Sequence, residues 1–593
     1  MHQQPAQAAA QAEAIRMIIW DLDETFWRGT LSEQGIAWSP ENAEIVRALS
    51  KRGIINSICS KNDRNAVELV LAEHQLDEHF VFSSINWESK GPRLAALVQA
   101  VQLRPQSILF IDDNPMNRAE AQSYVPGMHV ADETIIPYLL DNPRLRGEPD
   151  PQEKRLAQYR LLEHRQSMQS LANTDTTSFL RESAITVEIN HDLIPHLDRV
   201  VELINRTNQL NFTKRRLHAD PELAREQMRV QLSRFGVQAG IIHVRDRFGD
   251  HGYCGVYVLV HNAATAPTLL HFAFSCRILG MGIETWLYNW LQRPELVVAG
   301  SVVTDVINDR RAIDWITAKL PGLGEVPALE DRPLAYVLAR GGCEMRALTH
   351  YFAMVTKRVV EEFTYVRNGQ TPLISSSMIA AQSLNGTPPS LIRDAAKLGF
   401  LPEDFSPLIL HPPAQAPALW LLSFGLESVA PLLRHKETGY LLPLWVQYGL
   451  NGPVTSALTA DPLELGFDPD LQAHLRTHFE MAGPLTQPQF ADALRKILTM
   501  APQGVRVFIL LSNERKITAD GTSRVVPVRR NELARDIATE FPHTETIAPG
   551  DFITDSELAA QDNPQHYDRV VYFRIFQHVM LRLLGEEREN SRS

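Results

Sequence analysis

Cysteine is scarce in this chain: 593 residues hold four, Cys59, Cys254, Cys276 and Cys343. They are scattered and form no CxxC pair, which excludes a disulfide framework and a cysteine-built structural zinc site. Long apolar runs are also missing; none approaches the roughly 20 residues needed to span a bilayer. Basic residues are outnumbered, 58 Lys and Arg against 70 Asp and Glu, for a net charge of −12 and a pI near 5.9. Nonspecific nucleic-acid binding runs on the opposite balance. The first residues, "MHQQPAQAAAQAEAIR", lack the basic start and apolar stretch of a secretory signal. The expectation is a cytoplasmic protein in a reducing setting, without a nucleic-acid or membrane partner.

What is present is ordinary globular composition, 44% hydrophobic and 22% charged, in a chain too long for one core. Three segments are expected. Residues 1–150 alternate apolar runs, "RMIIWD", "GIINSICS" and "SILFIDD", with helical patterns such as "NAEIVRALSKR" and "NRAEAQSY". That alternation predicts a parallel sheet covered by helices. A Pro-punctuated, charged stretch over 141–170 reads as a linker. Residues 151–328 combine a helix, "LIPHLDRVVELINRTNQL", with strand-like "AGIIHVRDRF", "CGVYVLV" and "TLLHFAFSC", an α+β pattern. Residues 329–593 are mixed α/β. They include a buried-strand pattern, "VRVFILLSNE", and a Pro-rich stretch, "LPEDFSPLILHPPAQAPALW", that reads as a surface loop.

In the first segment each apolar run ends on polar residues, and ligands of open α/β sheets bind at the carboxyl ends of strands. Asp21 and Asp23 follow the first run, Ser60 and Lys61 the second, and Asp112 and Asp113 the third, with Lys90 in "NWESKGP" between. These are the residue types phosphoryl transfer needs. A carboxylate can attack phosphorus, and a second can carry the proton of the leaving or attacking oxygen. Hard oxygen ligands suit magnesium, while a hydroxyl and an ammonium can hold phosphate oxygens. An acidic pair alone is common in loops; the ordered series is specific.

With "DLDETFWRGTL", "ICSKND", "NWESK" and "FIDDNPMNRAEA" in view, the sequence resembles the haloacid dehalogenase (HAD) superfamily. More narrowly, it resembles the FkbH-like family of its subfamily IIIC. The narrower resemblance continues through "RTNQLNFTKRR", "VRDRFGDHG" and "SCRILGMGIE", over about residues 16–300. Glu24 stands where the family usually has Asn. The resemblance implies that Asp21 is the nucleophile and a metal ligand. Asp23 would be the acid/base and a second ligand through its carbonyl. Ser60, Lys61 and Lys90 would hold phosphate, and Asp112 with Asp113 would complete a Mg²⁺ site. It further implies dephosphorylation of a three-carbon acid of the 1,3-bisphosphoglycerate type. The glyceryl group would then be loaded as a thioester onto an acyl carrier protein for polyketide-type biosynthesis. Cys59, next to Ser60, is either a small buried residue at a strand end or, as the family match favours, the transient acyl carrier. Two other readings stay open: a plain phosphatase, its later segments serving recognition, and a non-catalytic scaffold that docks carrier proteins.

In the second segment, "CRILGMGIET" sets Arg277, Gly280 and Gly282 before a helix. It is similar to the acetyl-CoA turn of the GNAT acetyltransferases, where backbone N–H groups approach a pyrophosphate; an ordinary strand-to-helix glycine turn has the same look. Asn208, in "NRTNQLNFTKRR", belongs to a polar, basic stretch suited to phosphopantetheine or an acidic carrier surface. Arg245, Asp246 and Asp250 read as ion pairs of a hairpin turn. In the third segment, Cys343 in "ARGGCEM", Asn513 after a strand, and Asp562 three residues before His566 suggest a nucleophile, an oxyanion donor and an oriented base. The layout is weakly similar to SGNH hydrolases. Separate structural roles for these residues are equally compatible with it.

Overall fold

The run Met17–Trp20 forms a strand, β1, whose every side chain is buried, as expected of a central parallel strand covered on both faces. The structure is a computed structural model. It describes residues 13–33, 35–171, 176–234, 236–261, 266–326, 332, 334–342, 344–364, 367, 372–413, 418–428, 430–443, 469–518, 522–559 and 567–590. β1 pairs in parallel with β2 (Ile55–Ser60) on one side and β4 (Ile108–Ile111) on the other. Short strands β3 (Ser84–Ile85) and β5 (His129–Ala131) complete a sheet ordered β3-β2-β1-β4-β5. Helices α1 (Pro40–Lys51), α2 (Arg64–Glu73), α3 (Lys90–Val101) and α4 (Pro115–Tyr124) connect the strands.

The period-2 alternation of the strands sorts their side chains between two cores. Ile18, Trp20, Ile58 and Ile111 pack in one with Ile45, Val46 and Leu49 of α1. Met17, Ile19, Ile55, Cys59 and Phe110 pack in the other with Leu94, Leu97 and Val98 of α3. The buried Trp20 indole donates to Asn56 Oδ1 at 3.1 Å, so this polar side chain inside the core has a partner. Helix starts are written locally. Asp63 and Asn114 accept backbone N–H groups at the beginnings of α2 and α4, and Pro115 occupies a first-turn position where no N–H is needed.

By Cα proximity the chain divides into two compact units. One takes in residues 1–185, 245–252 and 276–279, and the other holds the rest. Residues 151–185, 245–252 and 276–279 of the second segment read from the sequence therefore fall in the first unit, and the second unit contains most of that segment and the whole of the third. Its first sheet is ordered β9-β8-β7-β6-β10-β11. The strands are β6 (Ile185–Asn190), β7 (Val237–Asp246), β8 (Gly249–Val260), β9 (Thr268–Phe274), β10 (Ile316–Leu320) and β11 (Gly324–Val326). Helices α5 (Leu197–Arg206) and α6 (Pro221–Leu232) pack on it through Val200, Leu203, Ile204, Ala224 and Met228. Helix α7 (Ile283–Trp290) follows the glycine turn.

The second sheet of this unit is wholly parallel. Strands β12 (Tyr336–Gly341), β13 (Val359–Phe363), β14 (Ala418–Ser423), β18 (Val505–Leu510) and β19 (Thr544–Ile547) run in the order β13-β12-β14-β18-β19. This is a doubly wound arrangement with its switch point between β12 and β14. Helix α8 (Glu344–Phe352) follows β12. A small antiparallel sheet, β16-β15-β17, is built from β15 (Pro431–His435), β16 (Leu441–Pro443) and β17 (Phe479–Pro484). It lies with α9 (Pro389–Ala395) and α10 (Pro469–His478) around an apolar cluster that includes Leu391, Leu433, Leu442, Leu475 and Phe479. The Pro-rich 401–420 stretch departs from the surface loop read from the sequence. Short 3₁₀ turns at Pro402–Phe405 and Leu408–Leu410 carry Phe405, Ile409 and Leu410 into buried positions. Proline there sets tight turns while the intervening apolar residues anchor the backbone. Among the described residues no helix is long and apolar enough to cross a membrane.

Candidate active site at the carboxyl ends of β1, β2 and β4

The register pairs Trp20 with both Ile58 and Ile111. The residues just past these strand positions therefore lie side by side, at the point where the strand order reverses. Asp21 follows β1, Ser60 ends β2, and Asp112 follows β4. Lys90, the first residue of α3, is only 2% exposed. Its ammonium bridges Asp21 Oδ1 at 2.6 Å and Asp112 Oδ2 at 2.7 Å. Sixty-nine residues of sequence separate Lys90 from Asp21, and the fold brings them into contact.

The remaining contacts hold the carboxylates in place. Asp112 also accepts from the Asn114 backbone N–H at 2.9 Å and from the Asn117 amide at 3.1 Å. Arg118 donates to the backbone carbonyls of Asp112 and Asp113 at 2.6 and 2.8 Å. The Thr25 hydroxyl donates to Asp113 Oδ1 at 3.2 Å and accepts the Asp113 N–H at 3.0 Å. Asp23 is half-buried. Its carboxylate accepts from the Trp27 indole at 2.8 Å, the Leu31 N–H at 3.2 Å and the Asn62 amide at 3.0 Å. Arg93, one turn after Lys90, donates to the Ser60 carbonyl at 2.9 Å and to the carbonyls of Asn86 and Glu88. It thereby ties the β2 end to the loop that precedes α3.

Burial pushes the Asp21 carboxyl up to about 6, opposed by Lys90 and by the Ser60 hydroxyl. Burial also raises Asp113. On Lys90 burial acts downward, and the Asp21 and Asp112 charges outweigh it, leaving the ammonium above its ordinary value. One cation thus faces several carboxylates in a largely dehydrated pocket. Oxygens of Asp21, Asp112 and Asp113 lie within 4.8 Å of one another. An all-oxygen, acid-rich donor set of this size fits a hard divalent cation such as Mg²⁺. The Asp23 carboxylate lies outside that group.

Residue by residue, Asp21, Ser60, Lys90, Asp112 and Asp113 converge. Lys61 is exposed, and no described hydrogen bond joins it to the carboxylates. Cys59 differs from the exposed, activated thiol that a transient acyl carrier requires. Its side chain packs in the core beside α3, where it is 0% exposed. Burial pushes its thiol up to about 11, whereas nucleophilic thiols have lowered values. Sequence reasoning missed Arg93, Asn62, Asn117 and Arg118. Their signals were the Lys90–Arg93 spacing of one helical turn and the side chains following "SK" and "DDNP".

The other candidates lie elsewhere. Arg277 donates to the His251 carbonyl at 2.9 Å. Gly280 and Gly282 both take φ of +77°, the left-handed conformation that favours glycine, and Gly282 caps the start of α7. Asn208 is exposed after α5. Arg245 pairs with Asp250 at 3.2 Å, and Asp246 with His251 at 2.9 Å. Asn513 follows β18, its side-chain amide nitrogen buried and without a hydrogen-bond partner among the described residues. Cys343, Asp562 and His566 fall outside the described residues.

No family model matches the chain, and no curated protein does. Solved structures do. The N-terminal part of a Bacteroides fragilis protein containing a phosphatase domain, complexed with Mg, is 27% identical over 22% of this chain and 40% of its own, with a TM-score of 0.20. A Vibrio cholerae structure described as a 3-deoxy-D-manno-octulosonate 8-phosphate phosphatase is 20% identical over 18% of this chain and 62% of its own, TM-score 0.16. This chain thus spans less than two thirds of either. A cobalt-bound deoxy-D-mannose-octulosonate 8-phosphate phosphatase from Haemophilus influenzae is 15% identical over 28% of this chain and 95% of its own, TM-score 0.17. Each of these matches covers between 18% and 28% of this chain.

Proposed function

We propose that the N-terminal sheet carries a Mg²⁺-dependent phosphoryl-transfer site that hydrolyses phosphorylated small molecules. The observation that carries this reading is the buried Lys90 ammonium bridging Asp21 and Asp112 at adjacent strand ends, with Asp113 and Asp23 beside them. Nothing in the packing of a parallel sheet requires such a cluster, and its excess of negative charge calls for a further cation. Asp21, Asp112 and Asp113 would hold Mg²⁺, which when bound supplies charge neutralisation for a phosphoryl group in transit.

Asp21 is the nucleophile: a carboxylate oxygen forms a bond to phosphorus as the bond to the leaving oxygen breaks, giving an aspartyl phosphate. Asp23 gives its proton to the leaving oxygen. It then takes one from the water that attacks phosphorus, and inorganic phosphate leaves as Asp21 is regenerated. The hydrogen bonds from Trp27, Leu31 and Asn62 hold the Asp23 carboxylate in one orientation for both transfers. Ser60 and Lys90 hold phosphate oxygens, and Lys90 offsets their charge. The reading is tested by phosphate release from a panel of phosphomonoesters and acyl phosphates. Release should require Mg²⁺, stop on chelation and be absent in Asp21→Asn; metal-independent release, or retention in that variant, contradicts it.

We further propose, from the FkbH-like motifs, that the substrate is a three-carbon acid of the 1,3-bisphosphoglycerate type. The phosphopantetheine thiol of an acyl carrier protein would attack the acyl carbon of its acyl phosphate, forming the thioester as that phosphate leaves, while Asp21 takes the phosphoryl group of the phosphomonoester at the other end. The burial of Cys59, which pushes its thiol up, favours direct transfer to the carrier over a relay through this thiol. Intact mass of a holo carrier protein after incubation with enzyme, Mg²⁺ and the bisphosphate should show a glyceryl adduct. Free glycerate-type product with an unmodified carrier leaves the simple phosphatase.

A further inference from the structure

Far along the chain from the phosphate site, three side chains meet in the small β15–β17 sheet region. Asp394 lies on α9, His435 ends β15, and His478 ends α10 just before β17. The antiparallel register pairs His435 with Phe479, which brings His478 next to His435, and α9 delivers Asp394 between them. Asp394 Oδ2 lies 3.1 Å from His435 Nε2 and 3.0 Å from His478 Nδ1. The side chains of His435 and Asp394 are 1% and 4% exposed, whereas that of His478 is 34% exposed. All three ligand atoms fall within 4.8 Å of one another.

We propose that Asp394, His435 and His478 form a binding site for a divalent transition metal of the zinc class.

Four features support the assignment. Two imidazole nitrogens and a carboxylate oxygen are a donor set that suits zinc and its neighbours rather than magnesium. At metal–ligand distances of 2.0–2.1 Å, ligands at two corners of a tetrahedron stand about 3.3 Å apart, so only small shifts are needed to admit the ion. The outer contacts are those that orient metal ligands. His435 Nδ1 lies 2.9 Å from Thr438 Oγ1; a proton on Nδ1 donated to that hydroxyl leaves the Nε2 lone pair facing inward. Arg393 binds Asp394 Oδ1 at 3.0 Å, which holds the carboxylate with Oδ2 toward the histidines, and His474 Nε2 donates to the Asp394 backbone carbonyl at 2.7 Å. Finally, the half-open His478 gives the ion a path from solvent, and three protein ligands leave a position for water.

The test uses Co²⁺ as probe on the full chain. The protein is stripped with chelator and kept in excess Mg²⁺ so that the Asp21–Asp112–Asp113 site is filled. Wild type and Asp112→Asn should each retain about one equivalent of Co²⁺ after desalting, with the strong visible absorption of a four- or five-coordinate histidine-ligated ion. His478→Ala, whose side chain is the most exposed of the three, should lose both the equivalent and the absorption, as should His435→Ala. The proposal is overturned if wild type retains no Co²⁺ under these conditions. It is overturned equally if the retained ion disappears in Asp112→Asn and persists in His478→Ala; the three residues would then form only an Asp–His hydrogen-bond network.

Discussion

Replacing Lys90 by methionine keeps much of the side chain's volume and removes the one ammonium that bridges Asp21 and Asp112 at 2.6 and 2.7 Å. Removing one partner from a buried ion pair costs about 3–5 kcal/mol, because the remaining charge is left uncompensated; here two carboxylates lose it together. The cost depends on pH. Burial already holds Asp21 up at about 6, and Lys90 acts downward on it, so the variant's carboxyl moves higher still. A carboxyl whose folded value exceeds its unfolded value of about 3.9 weakens the fold as pH rises between the two. Lys90→Met should therefore be near wild-type stability at pH 5 and several kcal/mol weaker at pH 8. Mg²⁺ at about 100 times its dissociation constant should return about 2.7 kcal/mol through binding to the folded state. Hydrogen-exchange protection factors of β1 and β4, followed in increasing urea, read this locally. Equal protection in variant and wild type at pH 8, or a deficit that Mg²⁺ does not reduce, refutes the argument that Lys90 neutralises a cation-binding carboxylate cluster.

Asp23→Asn should lower phosphate release by about 10²–10⁴-fold, the range for losing a general acid/base, with Mg²⁺ affinity little changed; steady-state kinetics with metal titration checks both. Cys59→Ala should leave phosphate release within a few-fold of wild type and cost modest stability through lost core packing. A hundredfold loss of release, or loss of carrier loading alone, would give the thiol a chemical role. The second unit should weaken in acid. Burial pushes His191 and His261 down to about 4, and His350 well below its ordinary value. Against about 6.5 when unfolded, their stabilising contribution is complete above that pH and is withdrawn as pH falls toward 4, by up to about 3 kcal/mol for the fully buried His191. Protection of residues 253–260 should track this window, and a flat profile from pH 7 to 4.5 would contradict it.

The N-terminal sheet was legible because its strands are continuous apolar runs that stop on chemistry-bearing residues: Trp20 before Asp21, Ile111 before Asp112. Strands β3 and β5 were not, since two or three residues carry no periodicity. Asp21, Ser60, Lys90 and Asp112 could be picked from their order along the chain. Arg93 and Asn117 left only the weaker signal of their spacing from Lys90 and Asp112, because their work is to bond backbone and carboxylates across the fold. Cys59 shows the complementary difficulty. Adjacency to Ser60 in sequence suggested a reactive thiol, and the pleat of β2 buries it in the core beside α3. The Asp394, His435 and His478 cluster joins a helix, a strand end and a second helix end, with no short motif to announce it.

The central claim is that Asp21 takes the phosphoryl group. It is tested most directly by acid-quenching enzyme, Mg²⁺ and a phosphomonoester substrate radiolabelled in its phosphate within the first turnover and mapping the label by peptide mass. The account predicts an acid-stable, base-labile phosphate on the peptide spanning residues 17–31, at Asp21, that is absent in Asp21→Asn. Label on another residue, or phosphate release with no labelled enzyme and an undiminished rate in Asp21→Asn, would contradict it.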